Sequence, residues 1–161
     1  PIEVNCSVLG FDSEVRTSVT EMPTTSGGEL LDFAVKYLTG GGSKGMASLK
    51  RIMPAPVGDE MIHRIESLSA QIFRALDCKG VVRIDYMLTK NDELYITEIN
   101  TIPGSMAFYL WQESGVSYPQ LIDKLVEYAE KAFAEKNENN YAYTSDILNG
   151  VVLGGKKGGK L

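Results

Sequence analysis

The 161-residue chain reads as an α+β domain in which a mainly antiparallel sheet packs against helices. Three observations predict this. Two pairs of β-rich runs, 2–9 with 14–21 and 81–88 with 94–100, are each separated by only a few turn-forming residues, the spacing of antiparallel neighbours. Two further segments, 59–76 and 118–135, carry apolar residues at helical spacing. With 43% hydrophobic residues, a chain of this length can bury one core.

The first pair of runs flanks Gly10, Asp12 and Ser13, which suit a turn. After Ser26, Gly27 and Gly28, residues 29–38 lead into Gly40, Gly41, Gly42, Ser43, Lys44 and Gly45. So many glycines have little side chain to pack and much backbone entropy to lose, which predicts a mobile loop. Lys44 does not make it a phosphate-binding P-loop, because Gly45 stands where that motif needs Ser or Thr. In 59–76, Met61, Ile65, Leu68, Ile72 and Leu76 form one apolar face, predicted to turn inward. His63, the single histidine, falls off this face and is assigned no role.

The second pair of runs carries the chemistry. Side chains alternate along a strand, so Arg83 and Asp85 share a face, as do Glu98 and Asn100. With a two-residue turn at Asn91 and Asp92, Lys90 pairs with Glu93; counting back sets Asp85 opposite Glu98 and Arg83 opposite Asn100. An odd shift or a bulge would break that count. Two carboxylates placed opposite each other repel, and a divalent cation between them removes the conflict. Asp, Glu and an Asn carbonyl are hard oxygen ligands suited to Mg²⁺, which fills its remaining positions with water and nucleotide phosphates. Thr101, Ile102, Pro103, Gly104 and Ser105 then form a turn predicted to feed a short helix through Trp111, whose first backbone N–H groups would face an anion.

In 118–135, Ser117 and Gln120 have capping-box spacing, Pro119 sits in the first turn, and Leu121, Leu125 and Ala129 are predicted to face inward. Residues 136–161, rich in Asn, Gly and Lys, read as a flexible tail beyond a folded portion at 1–135.

Composition excludes some functions. Sixteen basic against 21 acidic residues give a formal charge of -5, which disfavours nucleic acid as a partner. No apolar run reaches the ~18 residues of a membrane span and no signal-peptide pattern opens the chain. Cys6 and Cys78 have neither zinc nor disulfide-framework spacing and read as structural thiols. The chain opens on Pro1 with strand-like residues at once, so a fragment is expected.

The motifs RIDYML at 83–88, LYITEINTIPG at 94–104 and GVSYPQLIDKLVEYA at 115–129 resemble the C-terminal ATP-grasp region of D-alanine:D-alanine ligases. The resemblance spans nearly all of 1–134 and is sharpest at 80–130. It implies a cytoplasmic, ADP-forming ligase of peptidoglycan (cell-wall) precursor synthesis that uses ATP and Mg²⁺, with Mn²⁺ as a substitute. One D-alanine carboxylate attacks the γ-phosphate of ATP, and the amine of a second D-alanine captures the acyl phosphate.

By the same resemblance, Asp85, Glu98 and Asn100 hold metal and nucleotide phosphates, and Arg83 with the Gly104 backbone N–H stabilises the oxyanion. Lys36, in an Ala-Lys-Tyr segment, contacts a phosphate, with Lys44 the weaker alternative; Glu3 lies near the ribose. Ser105 and Tyr109 are the hydroxyls left near the second substrate, in a segment (Ser105 to Tyr109) that departs from the family's hydroxyl-rich pattern. That departure leaves other acceptors open: D-lactate, D-serine or another amino acid. A non-catalytic nucleotide-binding domain is the remaining alternative. The family's N-terminal domain and adenine hinge are not in this sequence, so the fragment alone is expected to be inactive, and a homodimer of the full-length protein is left open.

Overall fold

The computed structural model describes residues 1–24 and 51–138. Five strands form one sheet: β1 (Ile2–Phe11), β2 (Glu14–Pro23), β3 (Arg51–Ile52), β4 (Gly80–Leu88) and β5 (Leu94–Asn100), in the order β3-β2-β1-β4-β5 with every neighbouring pair antiparallel. Among the described residues three α-helices accompany it: α1 (Asp59–Ala75), α2 (Phe108–Glu113) and α3 (Tyr118–Glu138). The α+β expectation therefore holds.

β1 runs two residues further than its sequence pattern indicated, because the turn shrinks to Asp12 and Ser13, with Asp12 at φ 51°; β2 gains two residues at its far end, where Met22 and Pro23 pair with β3. Gly10 lies within β1, and a Cβ there would collide with the Glu14 carbonyl, so this glycine serves close strand approach rather than the turn.

Alternation along β1 and β4 divides the sheet into two faces. Val4, Cys6, Val8, Val82, Ile84 and Tyr86 line one face and pack under Ile65 and Phe73 of α1. The inward line of α1 is Ile65, Ser69 and Phe73; Met61, Leu68 and Ile72 flank it, and Leu76, expected inside, is 56% exposed. Ser69 belongs in this core because its hydroxyl pairs with the buried Tyr86 hydroxyl at 2.7 Å. α1 ends in a Schellman arrangement, Cys78 N–H to Phe73 O and Asp77 N–H to Arg74 O, with Asp77 at φ 50° in the place glycine usually takes.

On the other face, Leu9, Phe11 and Val81 pack against Trp111, Val116, Leu121 and Tyr128 of the α2–α3 segment. Phe11 and Tyr128 stack at 6.0 Å between centroids. Tyr128 thus takes the inward place expected of Ala129, which is exposed. Gln120 reaches back to the Ser117 N–H at 2.9 Å, as the capping-box spacing requires, and α3 continues to Glu138, past the expected stop at 135.

No described helix is long and apolar enough to cross a membrane. The Gly-rich loop with Lys36 and Lys44, and the segment 139–161, lie outside the described residues.

Candidate functional site

The face that is apolar at its Leu9 and Val81 end turns polar further along the same strands. Asn5 pairs with Glu21 on one side and Asp85 on the other, and Asp85 pairs with Glu98. Four strands therefore contribute one cross-strand row: Glu21, Asn5, Asp85, Glu98. In the adjacent row Ser7 pairs with Arg83, and Arg83 with Asn100. Glu3 precedes them on the same face, opposite Met87. Glu3, Asn5, Glu21, Arg83 and Asp85 are all buried.

The predicted pairs Asp85–Glu98 and Arg83–Asn100 are observed, by a route the sequence did not indicate. The hairpin closes on Thr89 and Glu93 through a three-residue loop with Asp92 at φ 58°, one step out of the expected register. A bulge between Asp85 and Tyr86 then takes up Thr97 as an extra residue and restores the count. The Thr97 hydroxyl donates to the Asp85 backbone oxygen at 2.9 Å and anchors the bulge.

Arg83 grips Asp85 through Nε to Oδ1 at 2.7 Å and Nη2 to Oδ2 at 2.9 Å. Burial alone would pull the Arg83 pKa down, but the hydrogen bonds and charge of Asp85, helped by Tyr109 and Glu21, outweigh it and hold the pKa above the ordinary arginine value. The group is a fixed cation. The Asn100 Oδ1 accepts the Ile102 N–H at 3.1 Å, which ties the end of β5 to the following turn.

This donor set fits a hard divalent cation. Among the described residues no three His, Cys, Asp or Glu side chains gather at one place; the paired rows offer the two carboxylates of Asp85 and Glu98 and the carboxamide oxygen of Asn100. The Arg83 bonds occupy one lone-pair position on each Asp85 oxygen, and the Ile102 bond occupies one on Asn100. One buried side-chain atom among the described residues has no partner: Oδ1 of Asn5, in the same row as Asp85.

After β5 the chain differs from expectation. A 3₁₀ turn, Gly104–Ala107, contains Ser105, Met106 and Ala107 at φ 54°, 54° and 49°, and only then does α2 begin at Phe108. Left-handed backbone costs about 1–2 kcal/mol per non-glycine residue. Packing offsets that cost, since the turn delivers Ala107, Tyr109, Leu110 and Trp111 into the core. The N–H groups after Gly104 are thus not the first turn of a right-handed helix; the Met106 N–H is spent on Pro103 O. Gly104 is itself exposed, lacks a positive φ, and has nothing within 4 Å of where a Cβ would be. Neither backbone nor packing demands glycine there.

Ser105 is exposed, whereas Tyr109 is buried with its hydroxyl donated to Glu21 Oε1 at 2.8 Å. Burial, then the charge of Glu21, raises the Tyr109 pKa above its ordinary value despite Arg83 and Arg51. Arg51 bonds Glu21 Oε2 at 3.3 Å and stacks over the Tyr109 ring at 3.8 Å. Asn5 Nδ2 donates to Glu21 Oε1 at 3.2 Å. Glu21, Arg51 and Asn5 are the residues sequence reasoning missed. The alternation Glu3, Asn5, Ser7 within an otherwise apolar run was the signal available for Asn5; nothing local marked Glu21 or Arg51.

Residues 2–127 match the family model described as D-ala D-ala ligase C-terminus. The chain is 33% identical over 146 residues to the D-alanine--D-alanine ligase of Thermosipho africanus, covering 91% of this chain and 38% of that protein. Against the D-alanine--D-alanine ligase of Streptomyces coelicolor it is 42% identical over 132 residues, covering 79% and 32%. The solved D-alanine-D-alanine ligase from Coxiella burnetii shares the fold, with a TM-score of 0.65 at 23% identity over 85% of this chain and 34% of that one. The chain spans about a third of the length of these relatives.

Proposed function

The chain belongs to the D-alanine:D-alanine ligase C-terminal family, and on that premise we propose that it is the C-terminal part of an ATP-grasp ligase that joins two D-alanines for cell-wall precursor synthesis, ATP going to ADP and phosphate. The observation that carries the reading is the strand register, which sets Asp85 against Glu98 and Arg83 against Asn100 on one face beside the Gly104 turn.

In this reading Asp85, Glu98 and Asn100 hold Mg²⁺, or Mn²⁺ in its place, which supplies charge neutralisation to the nucleotide phosphates. Arg83 has a separate task. Its Nε and Nη2 are spent on Asp85, so the guanidinium is locked in position and its remaining N–H donors face the oxyanion that develops when the acyl phosphate is attacked. No solvent or side chain has to reorganise at that moment. The open space over Gly104 lets the reacting carbonyl approach the backbone, and the Gly104 N–H is the second donor.

Glu3, on the same face, is proposed to meet the ribose, and Lys36 to meet a phosphate. Ser105 and Tyr109 border the acceptor subsite, with the exposed Ser105 hydroxyl as the contact and the buried Tyr109 held behind it by Glu21 and Arg51. The relatives' names favour D-alanine as acceptor over D-lactate or D-serine, and a catalytic over a non-catalytic domain. The enzyme is proposed to be cytoplasmic, and the full-length protein to act as a homodimer.

The test uses the full-length ligase. Glu98→Gln and Asp85→Asn should each lower D-alanine-dependent ADP release on the order of 10²-fold or more. Normal ADP release from either variant refutes the reading, and a panel of D-alanine, D-serine and D-lactate fixes the acceptor.

A further inference from the structure

Asn5 stands at the centre of the polar row, on β1, between Glu21 and Asp85. It is 2% exposed, and the two ends of its amide differ. Nδ2 donates to Glu21 Oε1 at 3.2 Å, while Oδ1 has no partner. The amide cannot be turned over to relieve this, because its carbonyl would then face a carboxylate. A buried carbonyl oxygen without a donor is costly, and native structures supply one from protein, water or ion. The residues flanking Asn5 in its row do not, since Glu21 already receives the amide's own N–H and the Asp85 oxygens accept from Arg83.

With Nδ2 turned toward β2, the oxygen of the same planar group faces away from β2, on the side where β4 runs with Asp85 directly opposite. Directly opposed residues have Cβ atoms roughly 4.5–5.5 Å apart, a separation that two side-chain acceptors can bridge only through a shared donor. A hydrated divalent cation supplies such a donor, because Mg²⁺ retains several waters and polarises their hydrogens outward.

We propose that Asn5 is a positioning residue of the cation site: its buried Oδ1 accepts a hydrogen bond from a water bound to the cation at Asp85 and Glu98, and so extends the site from the β4–β5 hairpin onto β1. This rests on the ligase reading above. The bond to Glu21 is then the means of aiming the amide. One end is fixed to a buried carboxylate, itself held by Arg51 and Tyr109, so the other end keeps a single orientation.

The experiment measures Mn²⁺ affinity of the full-length ligase in the presence of ADP, by the electron paramagnetic resonance signal of free Mn²⁺. Asn5→Leu, which keeps the volume and removes the acceptor, should weaken binding about fivefold. Asn5→Asp, which keeps an acceptor and loses the donor to Glu21, should bind at least as tightly as the wild type. A purely structural role through the Glu21 bond gives the opposite pattern, with Asn5→Asp loosened as much as Asn5→Leu, and overturns the inference. Unchanged affinity in Asn5→Leu also overturns it. Asp85→Asn separates the two levels: if it too binds Mn²⁺ normally, the parent reading fails; if it loses Mn²⁺ while Asn5→Leu does not, only the present inference fails. Where Asn5→Leu does not fold, as judged by its melting curve, Asn5→Ser replaces it with the same expected weakening.

Discussion

Replacing Asp85 by alanine strips a buried guanidinium of its bidentate acceptor. The Arg83 and Asp85 side chains are 3% and 1% exposed and joined at 2.7 and 2.9 Å, so neither end can fall back on solvent. Breaking a buried pair at one end costs about 3–5 kcal/mol. Glu21 and Tyr109 also favour the charged Arg83, which puts the expected cost near the lower limit, about 3 kcal/mol. For a domain of this size that is a fall in Tm of roughly 6–12 °C, read by far-ultraviolet circular dichroism. The double variant Arg83→Met, Asp85→Leu removes both charges and fills the space with apolar atoms. It should recover to within about 1 kcal/mol of the wild type or exceed it. In the full-length ligase, neither variant should restore ADP release. The contrast separates stability from chemistry: a pair that apolar residues can replace without loss of fold is retained for its charge. A double variant no more stable than Asp85→Ala refutes the energetic reasoning, and one that turns over ATP normally refutes the catalytic reasoning.

Gly104→Ala should leave the fold nearly untouched, shifting stability by no more than about 1 kcal/mol, because the backbone there is not left-handed and a Cβ meets nothing within 4 Å. In the full-length ligase it should lower kcat/KM about tenfold or more, since the methyl group occupies the space proposed for the reacting carbonyl; unchanged kcat/KM removes Gly104 from the site. Cys6 supplies a pH dependence. Burial pushes its thiol from the ordinary 9.0 up to about 12, so the folded chain holds the proton more tightly than the unfolded one. That contribution is intact below the unfolded value and is lost as pH rises from 9.0 toward 12. Cys6→Ala should therefore flatten the decline of unfolding free energy above about pH 9 by up to one proton, about 1.4 kcal/mol per pH unit. Equal slopes in urea titrations at each pH exclude the effect.

The paired strands and the long helices were legible because each is a short-range pattern. Period-two runs with nearby turns identified β1, β2, β4 and β5, and the apolar spacing of 59–76 identified α1. Finer placements missed where a distant partner decided them. The inward line of α1 runs through Ser69 rather than Leu68 because Tyr86 offered its hydroxyl, and Leu76 is exposed because the helix has already ended at its C-cap. Tyr128 displaced Ala129 on α3 because Phe11 was there to stack on. The left-handed turn at Ser105, Met106 and Ala107 had no local signal, since none is the Gly or Asn that such backbone favours; burial of Ala107 and Trp111 enforces it.

The sequence by itself determined which side chains share a face. Alternation is a property of the extended backbone, so Arg83 with Asp85, and Glu98 with Asn100, follow from strand identity alone. Tertiary structure decided what lies across from them. A three-residue loop moved the hairpin one step out of register and the Thr97 bulge moved it back, and each outcome depended on hydrogen bonds between strands that the count could not see. The same holds for the row as a whole. Glu21, Asn5 and Asp85 are brought together from positions 16 and 80 residues apart by the pairing of β1 with both its neighbours. Register across a sheet is set by the summed packing of both faces, which no local stretch of chain contains.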